Sequence, residues 1–242
     1  KKGRWLGLKP VNMTYYQLKI SCVLKQDLDF KNMFEELSKI INKSLLEDKK
    51  LKELHELNTF KMYVFDGLYP ASKEGYKKFN LYGFNIKTVD RNLAFKLNSL
   101  LKKTENDLIN IISVVLETKD TGKIEALYTV TPAISVIKSG SHWTKEDYPI
   151  ELLIDRINSN AKKKYTYWFD EDIDEEHNFI ESIEQANRKV IVLPYKDGVL
   201  LTNKFKIKVK EDDISQKLAG MVFSTGLLEK NALGLGYCTV AR

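Results

Sequence analysis

Cysteine and histidine are scarce in this chain, at two and three residues out of 242. Cys22 and Cys238 lie alone inside strand-like segments. They supply neither a disulfide framework nor a metal site, which fits a reducing cytoplasm. No His/Asp/Glu cluster has metal-ligand spacing, so neither a metal nor any other cofactor is expected. No Walker lysine motif is present. Long apolar runs are missing too: the longest, Leu108 to Leu116, is interrupted by Asn110 and Ser113, well short of the roughly 20 residues that span a bilayer. Lys1, Lys2 and Arg4 have no apolar block behind them, so the N-terminus does not read as a secretory signal. The expectation is a cytoplasmic protein with no membrane partner.

What is present suits a folded core. Apolar residues make up 43% and charged residues 30%, ordinary values for a globular chain. A length of 242 residues accommodates two domains of about 120. The net charge of +6 is unevenly spread. Residues 1–119 hold 22 Lys/Arg against 14 Asp/Glu, and residues 120–242 hold 17 against 19. Six basic residues and no acidic one lie between Lys1 and Gln26. A polyanion such as nucleic acid is a natural partner for such a surface, although many basic proteins bind none.

The hydrophobic pattern reads β-α-β-β-α-β and then nearly repeats. Met13 to Leu24 alternates as a strand. Asp29 caps a helix in which Phe30, Met33, Phe34, Leu37, Ile40, Ile41 and Leu45 recur at helical spacing. Strands are expected over Phe60 to Phe65, Asn80 to Val89 and Leu108 to Thr118, with a second helix capped by Asp90. Asp120-Thr121-Gly122 marks the expected boundary, giving domains 1–119 and 120–242. In the second half a strand runs from Ile124 to Ile137, interrupted at Thr131-Pro132. Thr144 and Asp147 resemble a capping box for the next helix. Asp170 to Glu176 reads as a solvated acidic loop. Lys189 to Tyr195 and Val199 to Lys210 flank the hairpin turn Lys196-Asp197-Gly198. A short helix over Ile214 to Val222 precedes the C-terminal segment. The fold class is α+β, as tandem ferredoxin-like (RRM-like) βαββαβ domains.

Few residues are suited to chemistry. His142 and His177 read as surface or structural positions. His55 sits between the first helix and the second strand with Lys61 six residues later. A histidine can exchange a proton with a ribose hydroxyl or a leaving oxygen, and a nearby lysine can offset charge on a phosphate. Alternation puts Lys61, Tyr63 and Phe65 on one face, where Tyr63 either nears Lys61 or packs into the core. Lys204, Lys206, Lys208 and Lys210 project from one side of a strand whose other side is Phe205, Ile207 and Val209. Such a ladder either contacts phosphates or blunts an exposed sheet edge. The most specific stretch is Gly226 to Tyr237, in which glycines allow close backbone approach and Lys230 adds charge. It is no dinucleotide-binding fingerprint, because its glycines lead into a strand.

These features together resemble the CRISPR-associated endoribonucleases that cut precursor CRISPR RNA within each repeat, the sixth Cas family. The form G-h-x-x-x-x-x-h-G-h-G is matched by Gly226 to Gly236. Tyr128-Thr129-Val130-Thr131-Pro132-Ala133-Ile134, followed by a helix ending near Lys164-Tyr165, is similar to the opening of that family's second domain. The resemblance implies metal-independent cleavage of repeat RNA by 2'-hydroxyl attack, with His55 and Lys61 in the catalytic region. It implies RNA binding by Lys204, Lys206 and Lys208 and by the loop residues Gly226, Lys230, Asn231, Gly234 and Gly236. The first helix holds Phe30 and Phe34 where some members place a tyrosine. Repeat RNA and an interference complex are the expected partners, with the chain a monomer or homodimer. The rival expectations are a non-catalytic repeat-RNA-binding protein and a structural ribonucleoprotein subunit.

Overall fold

The computed structural model describes residues 12–47, 59–137, 140–196 and 198–241. Strand β1 (Thr14–Leu24) turns Leu18, Ile20, Cys22 and Leu24 into the interior. The Asp29 carboxylate caps a single 3-10 turn by accepting from the Lys31 N–H, and helix α1 (Met33–Leu46) follows. Strand β2 (Tyr63–Phe65) and β3 (Leu81–Thr88) come next. Asp90 then caps α2 (Arg91–Leu100) by accepting from the Leu93 N–H at 3.1 Å, and β4 (Ile109–Asp120) completes the unit. The antiparallel order is β2-β3-β1-β4, so the longest apolar alternation, β1, takes a central place.

The second unit repeats this plan. Strand β5 (Ala126–Thr129), helix α3 (Ile150–Phe169), β6 (Ile180–Gln185), β9 (Phe205–Val209), α4 (Asp213–Thr225) and β10 (Cys238–Ala241) form a sheet of order β10-β5-β9-β6. In both units the first strand lies between the third and the last. That is the tandem ferredoxin-like arrangement expected from the sequence. Between β6 and β9 the second unit inserts a separate hairpin, β7 (Ile191–Tyr195) with β8 (Gly198–Thr202).

Several expected elements are shorter than their apolar pattern. The strand expected over Phe60 to Phe65 begins only at Tyr63, because Met62 takes a left-handed φ of 52°. That conformation breaks the alternation, so Lys61 no longer shares a face with Tyr63 and Phe65. The strand expected over Ile124 to Ile137 is regular only through Thr129, and isolated bridges at Ala133, Ile134 and Val136 replace the rest. Val199 to Lys210 divides at Asn203 and Lys204: the Asn203 backbone pairs with Ala133 while the Lys204 N–H donates to Asn187 Oδ1 at 2.6 Å. Thr144 Oγ1 and Asp147 Oδ2 do pair at 2.6 Å, but in a turn ahead of α3, whose N-cap position is Pro149.

The two units share their packing. Met13, Tyr15, Met62 and Val89 of the first unit belong to the second unit's core cluster. Tyr15 meets Phe223 of α4 edge-on at 5.2 Å. Lys87 on β3 is buried beneath α4 and β10, its ammonium donating to the Cys238 carbonyl at 2.8 Å and lying 3.5 Å from the centre of the Phe223 ring. In return, the segment after α4 reaches the first unit: Gly234 lies so close that a Cβ there would stand 2.7 Å from the Phe65 ring and 2.8 Å from Phe34.

Gly236 has φ +76° and a Cβ there would overlap the Leu227 carbonyl, whereas Gly122, at φ +66°, has open space around it. Gly236→Ala is therefore expected to cost more than about 3 kcal/mol in urea unfolding, and Gly122→Ala only about 1–2. Equal losses would show that the backbone angle alone, and not the close approach, requires glycine.

Candidate functional site

A cleft of about 480 Å³ opens where the lead into β2, helix α3 and the segment after α4 converge. Lys61 enters it from the first unit, Asn160 and Tyr167 from α3, and Lys230 and Asn231 from the glycine-rich segment. The left-handed turn at Met62 sends the chain into the cleft at Lys61 before Tyr63 and Phe65 plunge into the core. Burial draws the Lys61 ammonium below the usual lysine range. Tyr63 is buried, with its hydroxyl 3.4 Å from Asn42 Oδ1, and burial pushes its pKa up. It takes the packing role, although part of it lines the cleft wall.

The glycine-rich segment is built from inside. Its backbone bends back on itself, with positive φ at Gly226, Leu228, Lys230, Gly234 and Gly236. Such a path leaves carbonyls pointing inward, and buried carbonyls need donors. Lys164 supplies them: its ammonium donates to the carbonyls of Gly226 (2.7 Å) and Leu228 (3.1 Å) and to Asn231 Oδ1 (2.6 Å). The Asn231 amide then donates to the carbonyls of Leu227 and Leu235 at 3.1 and 2.9 Å. Two turns before Lys164, Arg156 pairs with Glu229. From the first unit, Ser38 Oγ donates to the Ala232 carbonyl at 3.0 Å. The three glycines and Asn231 are thereby buried as loop-shaping positions, and Lys230 is the position of the segment that stands exposed, its ammonium 4.9 Å from the Tyr195 ring centre.

The lysine ladder divides with its strand. Lys206 and Lys208 project from the exposed face of β9, opposite the buried Phe205, Ile207 and Val209. β9 lies between β5 and β6, so these lysines do not blunt a sheet edge. Carboxylates interleave with them: Lys208 pairs with Glu181 at 3.0 Å, and Lys206 is in register with Glu184. Lys210 lies just past the strand and is exposed. Lys204 instead lines a second groove of about 830 Å³, shared with Lys19, Asp66 and Val130. Burial lowers the Lys204 pKa and raises that of Asp66 to about 6.

His142 accepts from the Leu201 N–H at 3.2 Å, and His177 bonds Ser215 Oγ at 3.0 Å beside Asp212. Both hold loops in place. His55 lies outside the described residues; Thr59, four positions later, lines the cleft. Among the described residues, no helix is long and apolar enough to cross a membrane.

Set beside known proteins, the chain is 25% identical over 251 residues to "CRISPR-associated endoribonuclease Cas6 2" of Methanocaldococcus jannaschii, covering 91% of this chain and 98% of that one. The chain is thus similar to a Cas6 endoribonuclease over nearly its whole length. The structure of a Cas6-related protein of Pyrococcus furiosus superposes with a TM-score of 0.70 at 17% identity, covering 95% of this chain and 98% of that one. A structure described as a RAMP protein binding different RNA substrates gives 0.68 at 17% identity, over 94% of this chain and all of the other. These two likenesses show that the tandem fold is shared with a Cas6-related protein and with a RAMP protein. No protein-family model matches.

Beyond Lys61, Lys230 and Asn231, the cleft depends on Lys164, which the sequence marks only as a helix end, and on Asn160, which no motif singles out. A trace of them was in the periodicity. Leu153, Ile157, Ala161 and Lys164 fall on one helical stripe, which places Lys164 on the buried side of α3.

Burial lowers the pKa values of Lys164 and Lys87 from 10.5 to about 7, opposed by Glu229 near the first and by Asp66 near the second. Above pH 7 the unfolded chain then binds more protons than the folded one, so stability rises with pH, by up to about 1.4 kcal/mol per pH unit for each lysine. Cys22 and Cys238, pushed up to about 12 by burial, reverse the sign once the unfolded thiols ionise near pH 8.5. Urea unfolding is expected to show stability climbing from pH 7 to about 8.5 and flattening beyond. Lys87→Met should lose about half of that climb; an unchanged slope would mean that Lys87 stays charged in the fold.

Proposed function

We propose that this chain is a metal-independent endoribonuclease that cleaves CRISPR repeat RNA to release crRNAs. The observation that carries this proposal is the cleft that gathers Lys61 with Lys230 and Asn231, in a chain that aligns over nine-tenths of its length with a Cas6 endoribonuclease. RNA brings its own nucleophile. The 2'-hydroxyl attacks the adjacent phosphorus, the bond from phosphorus to the 5' oxygen breaks, and the products are a 2',3'-cyclic phosphate and a 5'-hydroxyl. His55 exchanges a proton with the attacking or the leaving oxygen. Lys61, in the cleft lining, offsets the charge that builds on the phosphorane.

Lys206 and Lys208 on the open sheet face and Lys204 in the second groove hold the RNA backbone. Lys230 adds a cation at the cleft, while Gly226, Asn231, Gly234 and Gly236 contribute by shaping the segment that carries it. The protein works in the cytoplasm as a monomer or homodimer and hands its product to an interference complex.

Cognate repeat RNA incubated with the protein in excess EDTA is expected to be cut once per repeat, and a 2'-deoxy substitution at the cut should block the reaction. His55→Ala should lose at least about a hundredfold in rate and Lys61→Ala a comparable factor, both still binding RNA. Full activity in His55→Ala would displace the active site. Binding without cleavage by any form, wild type included, would make the chain a binding protein. Lys206→Ala is expected to weaken binding across sequences and to reduce the salt slope by about one.

A further inference from the structure

We infer that the cleft holds an unstacked nucleobase and that Asn160 reads its exocyclic amino group. This rests on the RNA-cleaving function proposed above and specifies which part of the substrate the cleft recognises. Asn160 is 9% exposed, and its Oδ1 is enclosed with no hydrogen-bond partner. A buried acceptor left unpaired is costly, and native structures rarely leave one without a reason. Neither neighbouring donor serves it: the Arg156 Nε, one turn back along α3, is likewise enclosed and without a partner. Lys164, one turn further along α3, spends its ammonium on Gly226, Leu228 and Asn231. Asn160 lines the cleft, and a turn of its amide would carry this acceptor from its enclosed position to a donor that comes with the ligand.

The rest of the lining says what carries that donor. Met62, Leu228 and Ala232 give the cleft apolar walls, and the Phe60 and Tyr167 rings meet edge-on at 5.7 Å at one side. A ribose or phosphate is hydrated on every side and would lose those contacts against such walls. A base has an apolar face for the walls and an edge for the acceptor, the combination by which single-stranded RNA is read. Lys61 and Lys230 then meet the phosphate that follows the base. Adenine and cytosine present an amino donor at the edge where purine and uracil present none. With uracil, a carbonyl oxygen would face Asn160 Oδ1, placing two acceptors against each other. A site built around a hydrogen bond discriminates strongly against the analogue that lacks it.

The test uses the full chain and four short RNAs of one length: oligo(adenosine), oligo(purine riboside), oligo(cytidine) and oligo(uridine). In at least one pair, adenosine against purine riboside or cytidine against uridine, the amino-bearing oligomer should bind wild type roughly tenfold tighter, about 1.4 kcal/mol. Asn160→Leu, similar in volume, should erase that ratio. Asn160→Asp, which keeps an acceptor, should retain it while weakening all four by charge repulsion, and thermal melting of both variants separates this from loss of fold. Ratios unchanged by Asn160→Leu would overturn the inference while leaving RNA binding intact. A reversed preference, uridine over cytidine, lost in Asn160→Leu would mean that the amide donates there, and would overturn the amino-group assignment. Failure of wild type to bind any of the four would count against the RNA function itself and take the inference with it.

Discussion

One buried ammonium group holds the candidate site together. Lys164 sits on the core side of α3, where charge is expensive, and donates to two carbonyls and an asparagine oxygen of the glycine-rich segment. A segment with five positive-φ residues has no ladder of its own to satisfy its backbone. Its carbonyls would be buried without donors if Lys164 were absent. The conformation that displays Lys230 at the cleft therefore exists because a lysine was placed inside the protein.

That segment also joins the two units. It leaves α4 of the second, lays Gly234 against Phe34 and Phe65 of the first, and returns as β10 beside β5. Lys87 makes the reciprocal reach, from the first unit's sheet to the Cys238 carbonyl under the rings of Phe223 and Tyr237. Each unit lends side chains to the other's core, and the cleft lies where they meet. A substrate in that cleft would touch Lys61 from one unit and Lys230 from the other, so the relative placement of the units matters to the chemistry. The shared cores resist their relative movement, since close-packed interiors do not deform smoothly.

Much of the fold was readable in advance. The alternation of β1, the helical spacing of α1, and the aspartate caps at Asp29 and Asp90 are local features, and local physics decided them. The departures from the pattern come from distant partners and from local backbone turns. The expected strand over Val199 to Lys210 obeyed the apolar pattern throughout, yet it breaks where Asn203 and Lys204 find partners far along the chain in Ala133 and Asn187. Similarly, the pattern placed Lys61 with Tyr63, and the left-handed turn at Met62 separated them.

By itself the sequence determined the two βαββαβ units, the basic bias of the first half, and the glycine-rich signature on which the resemblance to Cas6 proteins rests. These depend on residue type and spacing along the chain, which any reader of the sequence possesses. Only the tertiary structure decided that the glycines are buried shaping elements, that Lys204 faces a different groove from Lys206 and Lys208, and that Asn160, in the cleft wall, has an enclosed oxygen without a partner. Hydrogen-bond satisfaction is settled between residues tens or hundreds of positions apart, and no window of sequence contains both partners.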